Sequence, residues 1–360
     1  MSAVIQLVKQ AVSEAAPYEK RLERPFNNVS HRNYLKLLPL LPALIFAFAT
    51  PASLAQKKEA PVQPGKAIVW RDPGAVESLD FIGGPGGRDH APTPPFTFVK
   101  EVFAATKPKI RVRDAKGVEW GVKWGSEAKA EVFADRLVWA AGYFVEPTYY
   151  VPSGKIIGAH GLKRAATVIG PDGSFVDARF ELRSDEYEKL DGADGWLWDS
   201  NPFVGTKELN GLRVMTMLVS NWDAKDSSRG ETSNNAIFRY ATPEGIEVHY
   251  LVSDWGATMG KWGSFLSHGN WDCEGFTLQS KSLVKGVKNG YVEWGYSAKL
   301  GTKIRSNIRV TDVQWLLQYL SRITDQQLRD GIRASGGTPE ETTCFTQAIR
   351  QRIDQLKTIR

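Results

Sequence analysis

Residues 118–142 read VEWGVKWGSEAKAEVFADRLVWAAG, and their pattern changes period halfway. Val118–Trp124 is a short β-type run, joined through Asp-Ala-Lys-Gly to a second one at Ile110–Arg113. That spacing predicts a hairpin. From Glu127 to Ala141 the apolar residues Ala130, Phe133, Ala134, Leu137, Val138 and Ala141 fall on one helical face, and Gly142 ends it. A lysine on a strand, Lys123, is therefore followed at once by a helix carrying Glu127 and Glu131.

Outward from this unit the chain alternates short strands and helices. Strands are expected at Phe96–Val102, Phe144–Val151, Ala166–Gly170 and Ser174–Leu182. A helix is expected at Glu208–Ser220, then a polar loop, then two strands, Ala236–Tyr240 and Ile246–Ser253, turned by Thr-Pro-Glu-Gly. A Gly- and aromatic-rich stretch runs on to about Ser306. Amphipathic helices at Val313–Ile323, Asp325–Ala334 and Glu340–Leu356 close the chain. The expected organisation is an export segment (1–55), a Pro/Gly-rich loop-like lead (56–95), a β-rich region (96–183) and a helix-ended region (184–360).

Composition narrows the function classes. The 360 residues are 42 % hydrophobic and 24 % charged, an ordinary globular mix that excludes collagenous, coiled-coil and disordered chains. Net charge is +6, but residues 1–55 hold six Lys/Arg against three Asp/Glu, leaving 40 against 37 in the rest. Without a basic block, a nucleic-acid partner is not expected. Two cysteines, Cys273 and Cys344, exclude a multiply stapled scaffold and a cysteine zinc site, and leave their own pairing open. The twelve tryptophans read mainly as core walls, with sugar-stacking platforms as the alternative. The 13-residue apolar run Leu37–Ala49, ending before Ser53-Leu54-Ala55, reads as a secretory signal with a leading extension. An uncleaved anchor over residues 37–55 is the second reading and a buried core helix the third. The expected location is periplasmic or extracellular, with membrane contact only through this segment.

Three separated features carry the chemistry. Lys123 precedes the helix with Glu127 and Glu131; Asn221-Trp222-Asp223 ends a helix and leads to Asn234-Asn235; Asp254-Trp255-Gly256 ends the partner strand. Taken singly, each has a plain structural reading: a solvated lysine, a solvated helix face, an ordinary turn. In this order they match what phosphoryl transfer needs. A lysine held by a glutamate binds phosphates, one aspartate serves the acceptor hydroxyl, and an asparagine and a second aspartate hold Mg²⁺.

On these residues the chain resembles the protein-kinase-like superfamily in its atypical branches, with the Asn-Trp-Asp opening and Asn-Ala-Ile-Phe strand most similar to CotH-type kinases, and HipA-type kinases also similar. The resemblance implies an α+β, two-lobed kinase-like fold with a β-rich N-lobe and a mixed, helix-ended C-lobe. It further implies an ATP-dependent phosphotransferase using Mg²⁺, or Mn²⁺, on a hydroxyl of a protein, peptide, sugar or small molecule. Residue by residue, Lys123 would bind phosphate, Glu131 would be its partner, Asp223 the catalytic aspartate, and Asn235 and Asp254 the metal ligands; Glu127 and Asn234 are the alternates. The chain departs from the pattern in three places. Phe103–Lys109 (FAATKPK) stands where a Gly-rich loop belongs, twelve residues separate Asp223 from Asn235, and the His-Arg-Asp triplet is missing. Nucleotidyl transfer is open on the same fold. The rival reading is a non-catalytic exported binding module, either a pseudokinase or a Trp-rich glycan- or protein-binding domain.

Overall fold

A computed structural model describes residues 65–103, 107–184, 187–190, 195–229, 233–263 and 268–360. The apolar run Leu37–Ala49 and the cleavage-type site at Ser53–Ala55 lie outside these residues. Among the described residues no helix is long and apolar enough to cross a membrane.

The fold is mixed α+β. Strands β2 (Phe96–Glu101), β3 (Lys109–Arg113), β4 (Glu119–Trp124), β5 (Thr148–Ile157) and β6 (Ser174–Arg183) close into a barrel of order β2-β3-β4-β6-β5. All neighbours are antiparallel except β2 and β5, which seal the barrel in parallel. The β3–β4 turn is built by Asp114, whose Oδ1 accepts the N–H groups of Lys116 and Val118, with Gly117 at φ 81°. Alternation along each strand sends Ile110, Val112, Trp120, Val122, Trp124, Ala178 and Phe180 into the barrel core. The residues between them in sequence, including Lys109, Lys123 and Arg179, share the opposite face.

Helix α1 (Ser126–Ala140) follows β4, and its apolar face joins a second, larger core rather than the barrel interior. That core is built with α2 (Lys207–Leu218), α3 (Cys273–Ser280), α4 (Gly301–Arg305), α5 (Val310–Leu320), α6 (Asp325–Ala334) and α7 (Pro339–Lys357). Helix starts are capped as their sequences demand. The Thr206, Thr324 and Thr338 hydroxyls accept the N–H groups of Leu209, Gln327 and Glu341. A four-stranded sheet of order β1-β9-β8-β7 comprises β1 (Lys66–Ile68), β7 (Tyr187–Lys189), β8 (Asn235–Thr242) and β9 (Gly245–Val252); β10 (Val284–Lys288) and β11 (Tyr291–Trp294) form a separate hairpin.

Two local expectations are corrected, at Ala166–Gly170 and at Phe144, and two stretches gain detail. In its described residues the lead has little regular structure beyond two short 3-10 turns and β1, which pairs with β9, and its Val69, Val76 and Phe81 are buried in the larger core. Ala166–Gly170 is not a strand but a 3-10 turn at Ala165–Thr167 with a single bridge, Ile169 to Phe175, because β6 takes its long pairing from β5 and β4. The strand expected from Phe144 begins at Thr148. The Gly/aromatic stretch holds α3, the β10–β11 hairpin and α4. Cys273 and Cys344 form a disulfide joining α3 to α7, with Cα atoms 6.3 Å apart.

Candidate active site

The site grows from the end of β4. Lys123 Nζ lies 3.7 Å from Asp254 Oδ2 and 4.0 Å from Glu131 Oε2, and its side chain is only 13 % exposed. Glu131 sits on the second turn of α1, facing the sheet, and also takes Arg179 Nη1 at 2.7 Å. Arg179 is the β6 residue directly opposite Lys123 and reaches Glu181 Oε2 at 2.6 Å with its other arm. Burial pushes the Glu131 carboxyl up, against the pull of Arg179 and Lys123. Glu127 pairs instead with Lys107, 4.0 Å from its Oε1, and burial together with the Asp254 charge raises its carboxyl against the pull of Lys107 and Lys123.

Asp254 follows β9. Burial pushes its carboxyl up, but Lys123, the Gly256 N–H, Arg179 and Lys109 together outweigh burial and hold it below the usual range. The Gly256 N–H donates to Asp254 Oδ1 at 3.0 Å. A Cβ on Gly256 would stand 3.1 Å from Glu127 Cβ and 3.2 Å from that same oxygen, so this turn lets α1 approach closely.

Asp223 comes from the turn after α2, where Ser220 takes φ 60° to redirect the chain. Asn221 ties the two aspartates together: its Nδ2 donates to the Asp254 carbonyl at 3.3 Å, and its Oδ1 accepts the Asp223 N–H at 3.1 Å. The Trp222 N–H donates to Ala257 O, and the Tyr296 hydroxyl to Asn221 O. Two lysines flank the Asp223 carboxylate, Lys299 at 3.0 Å and Lys225 at 3.7 Å.

The structure brings Asn234, not Asn235, to Asp223. Asn234 Nδ2 donates to the Asp223 carbonyl at 2.6 Å and to Oδ2 at 3.3 Å. Asn235 turns the other way, donating to Trp196 O at 2.8 Å with its side chain buried. Successive residues entering β8 face opposite sides, so only one of the pair can serve the site.

Among the described residues no three His, Cys, Asp or Glu side chains gather as a metal-holding group. The donor set here is different: the ionised Asp254 carboxylate and the Asn234 amide, whose Nδ2 is committed to Asp223 so that Oδ1 is the atom left for a cation. Such hard oxygen donors suit a magnesium-type ion that takes its remaining ligands from water and phosphate. Arg179, Lys225 and Lys299 were not singled out in the sequence. Only Lys225, two residues past Asp223, carried a local signal.

No protein-family profile and no curated protein matches the chain. Among solved structures it is similar to the Golgi casein kinase with Mn/ADP bound, at 8 % identity and a TM-score of 0.34, over 74 % of this chain and 72 % of that one. A second structure of the Golgi casein kinase gives 7 % and 0.32 over 74 % of each chain. The Rio2 kinase-ADP/Mg²⁺-phosphoaspartate complex from Chaetomium thermophilum gives 11 % and 0.28 over 72 % of each. Overlaps this low carry no inference about chemistry.

Proposed function

We propose that this chain is an exported phosphotransferase of the atypical kinase type, two-lobed in plan, moving a phosphoryl group from ATP to a hydroxyl-bearing acceptor with Mg²⁺ or Mn²⁺. One observation carries the reading: Lys123, on the third strand of the barrel, lies between Glu131 of α1 and Asp254 after β9. Lysine on a third strand, glutamate on the next helix and a metal-type aspartate after a later hairpin are the parts that position phosphates in kinases.

In this reading Lys123 contacts the phosphates and is held by Glu131, itself fixed by Arg179. Asp254 and Asn234 hold the cation, which when bound neutralises charge on the phosphate oxygens. Asp223 accepts the proton of the acceptor hydroxyl, and Lys225 and Lys299 fix its carboxylate. The Cys273–Cys344 disulfide supports export, since such bonds persist in oxidising compartments. N-terminal sequencing of natively expressed protein should find a start at Gln56 outside the cytoplasm.

The test is thermal stabilisation by ATP with Mg²⁺ or Mn²⁺, together with release or transfer of the terminal phosphate. Stabilisation with turnover is expected; absence of both overturns the reading. A non-catalytic module is the second reading, favoured by the 3.0 Å contact that commits Asp223 Oδ1 to Lys299. Its signature is stabilisation without turnover under any acceptor or water.

A further inference from the structure

Resting on the reading above, we propose that Lys109 forms with Lys123 a two-lysine cradle for the phosphate chain of the donor. Lys109 opens β3 and is the direct cross-strand partner of Lys123, which in turn partners Arg179. Residues directly opposed in antiparallel strands share a face, with Cβ atoms about 4.5–5.5 Å apart. Three cations therefore stand side by side over three strands.

Their partners differ. Arg179 has Glu131 and Glu181, and Lys123 has Glu131 and Asp254. Lys109 is half-buried and forms no ion pair among the described residues. Lys123 of β4, Arg179 and Arg183 of β6 and Arg111 of its own strand face it as like charges; Glu131 of α1 and Asp254 after β9 act on it from farther off. Burial, reinforced by those cations, brings its amine down to about 7. A half-buried amine crowded by cations and without an ion-pair partner is relieved by an anion, and the phosphate chain lying against Lys123 supplies one.

The same arrangement accounts for the missing Gly-rich loop. Glycines let a backbone come close enough to bind phosphates through its N–H groups. Phe103–Lys109 contains none, and the lysine at its end offers a side-chain contact instead. Binding then transfers a proton from solvent to Lys109 Nζ, which becomes the ammonium that the phosphates require.

The test is calorimetric titration of the protein with ATP·Mg²⁺ near neutral pH in two buffers of different ionisation heat, with inorganic triphosphate as a second probe. The parent should take up a fraction of a proton per ligand bound. Lys109→Met should lose that uptake and bind about tenfold more weakly or worse, while its unliganded melting temperature stays level or rises. Lys109→Arg, already charged, should keep affinity and lose the uptake. A Lys109→Met variant binding like the parent with the same uptake refutes the cradle alone, as does a large fall in its unliganded melting temperature. If the parent binds neither ATP·Mg²⁺ nor triphosphate, the phosphotransferase reading falls and the cradle with it.

Discussion

Arg179 faces Lys123 directly across the β4–β6 ladder, and both point at the one carboxylate of Glu131. The closer contact belongs to Arg179, at 2.7 Å against 4.0 Å. Glu131 is thus anchored by the arginine, while Lys123 is held only by longer contacts to Glu131 and Asp254.

This division predicts opposite phenotypes. Arg179→Met leaves Glu131 and Glu181 buried beside one another without their shared cation, and should destabilise the fold by about 3–5 kcal/mol. Lys123→Ala should barely change the unliganded melting temperature but remove most of the stabilisation by ATP·Mg²⁺. Denaturant titration with and without ligand distinguishes them.

Asn234 and Asn235 are expected to separate in the same way. Asn234→Ala should weaken metal-dependent nucleotide binding with little effect on folding. Asn235→Ala strands the Trp196 carbonyl in the core, at a cost of about 1–3 kcal/mol, and should spare binding by whatever protein remains folded. Equal loss of binding in both variants would contradict the assignment of Asn234.

The two aspartates divide binding from turnover. Asp254→Asn removes a charge from the cation and should weaken ATP·Mg²⁺ binding itself. Asp223→Asn should leave that binding nearly intact and lower turnover by ~10²-fold or more. Nucleotide titration beside a turnover assay checks the pair.

Lys109 also makes a signed prediction for pH. Its amine is brought to about 7 in the folded protein, below its unfolded value near 10.4. Between these values the unfolded chain binds the extra proton, so this contribution raises stability as pH climbs from about 7 toward 10. Denaturation midpoints over that range should show the rise, and it should be lost in Lys109→Met.

Reduction of the disulfide is a further test. The bridge spans 71 residues, for which loop-closure entropy gives about 4 kcal/mol. Unfolding with and without reductant, set against Cys344→Ser, should show a loss of that order.

What could be read in advance was local. The alternation of Val118–Trp124, the helical period after it and the two strands before Asp254 each lie within a few turns of chain, and together they placed Lys123, Glu131 and Asp254 on their elements. Arg179 could not be read, because its role comes from the β4–β6 register, which pairs residues 56 positions apart. The choice between Asn234 and Asn235 turned on one residue of phase, which flips a side chain to the opposite face of a sheet. The supposed strand at Ala166–Gly170 failed because its apolar residues fit a turn packed under the barrel as well as a ladder.

Between Cys273 and Cys344 the chain is a covalent ring threaded through β10, β11 and helices α4 to α6. A protease that cuts once inside this ring frees no fragment: both new ends stay tethered, and the C-terminal helix keeps its seat. Arg352 on that helix donates to Leu218 O and Ser220 Oγ, at the end of α2 just before the Asn221–Asp223 turn. A single nick in the outer loops of this ring therefore leaves the Asn221–Asp223 turn clamped.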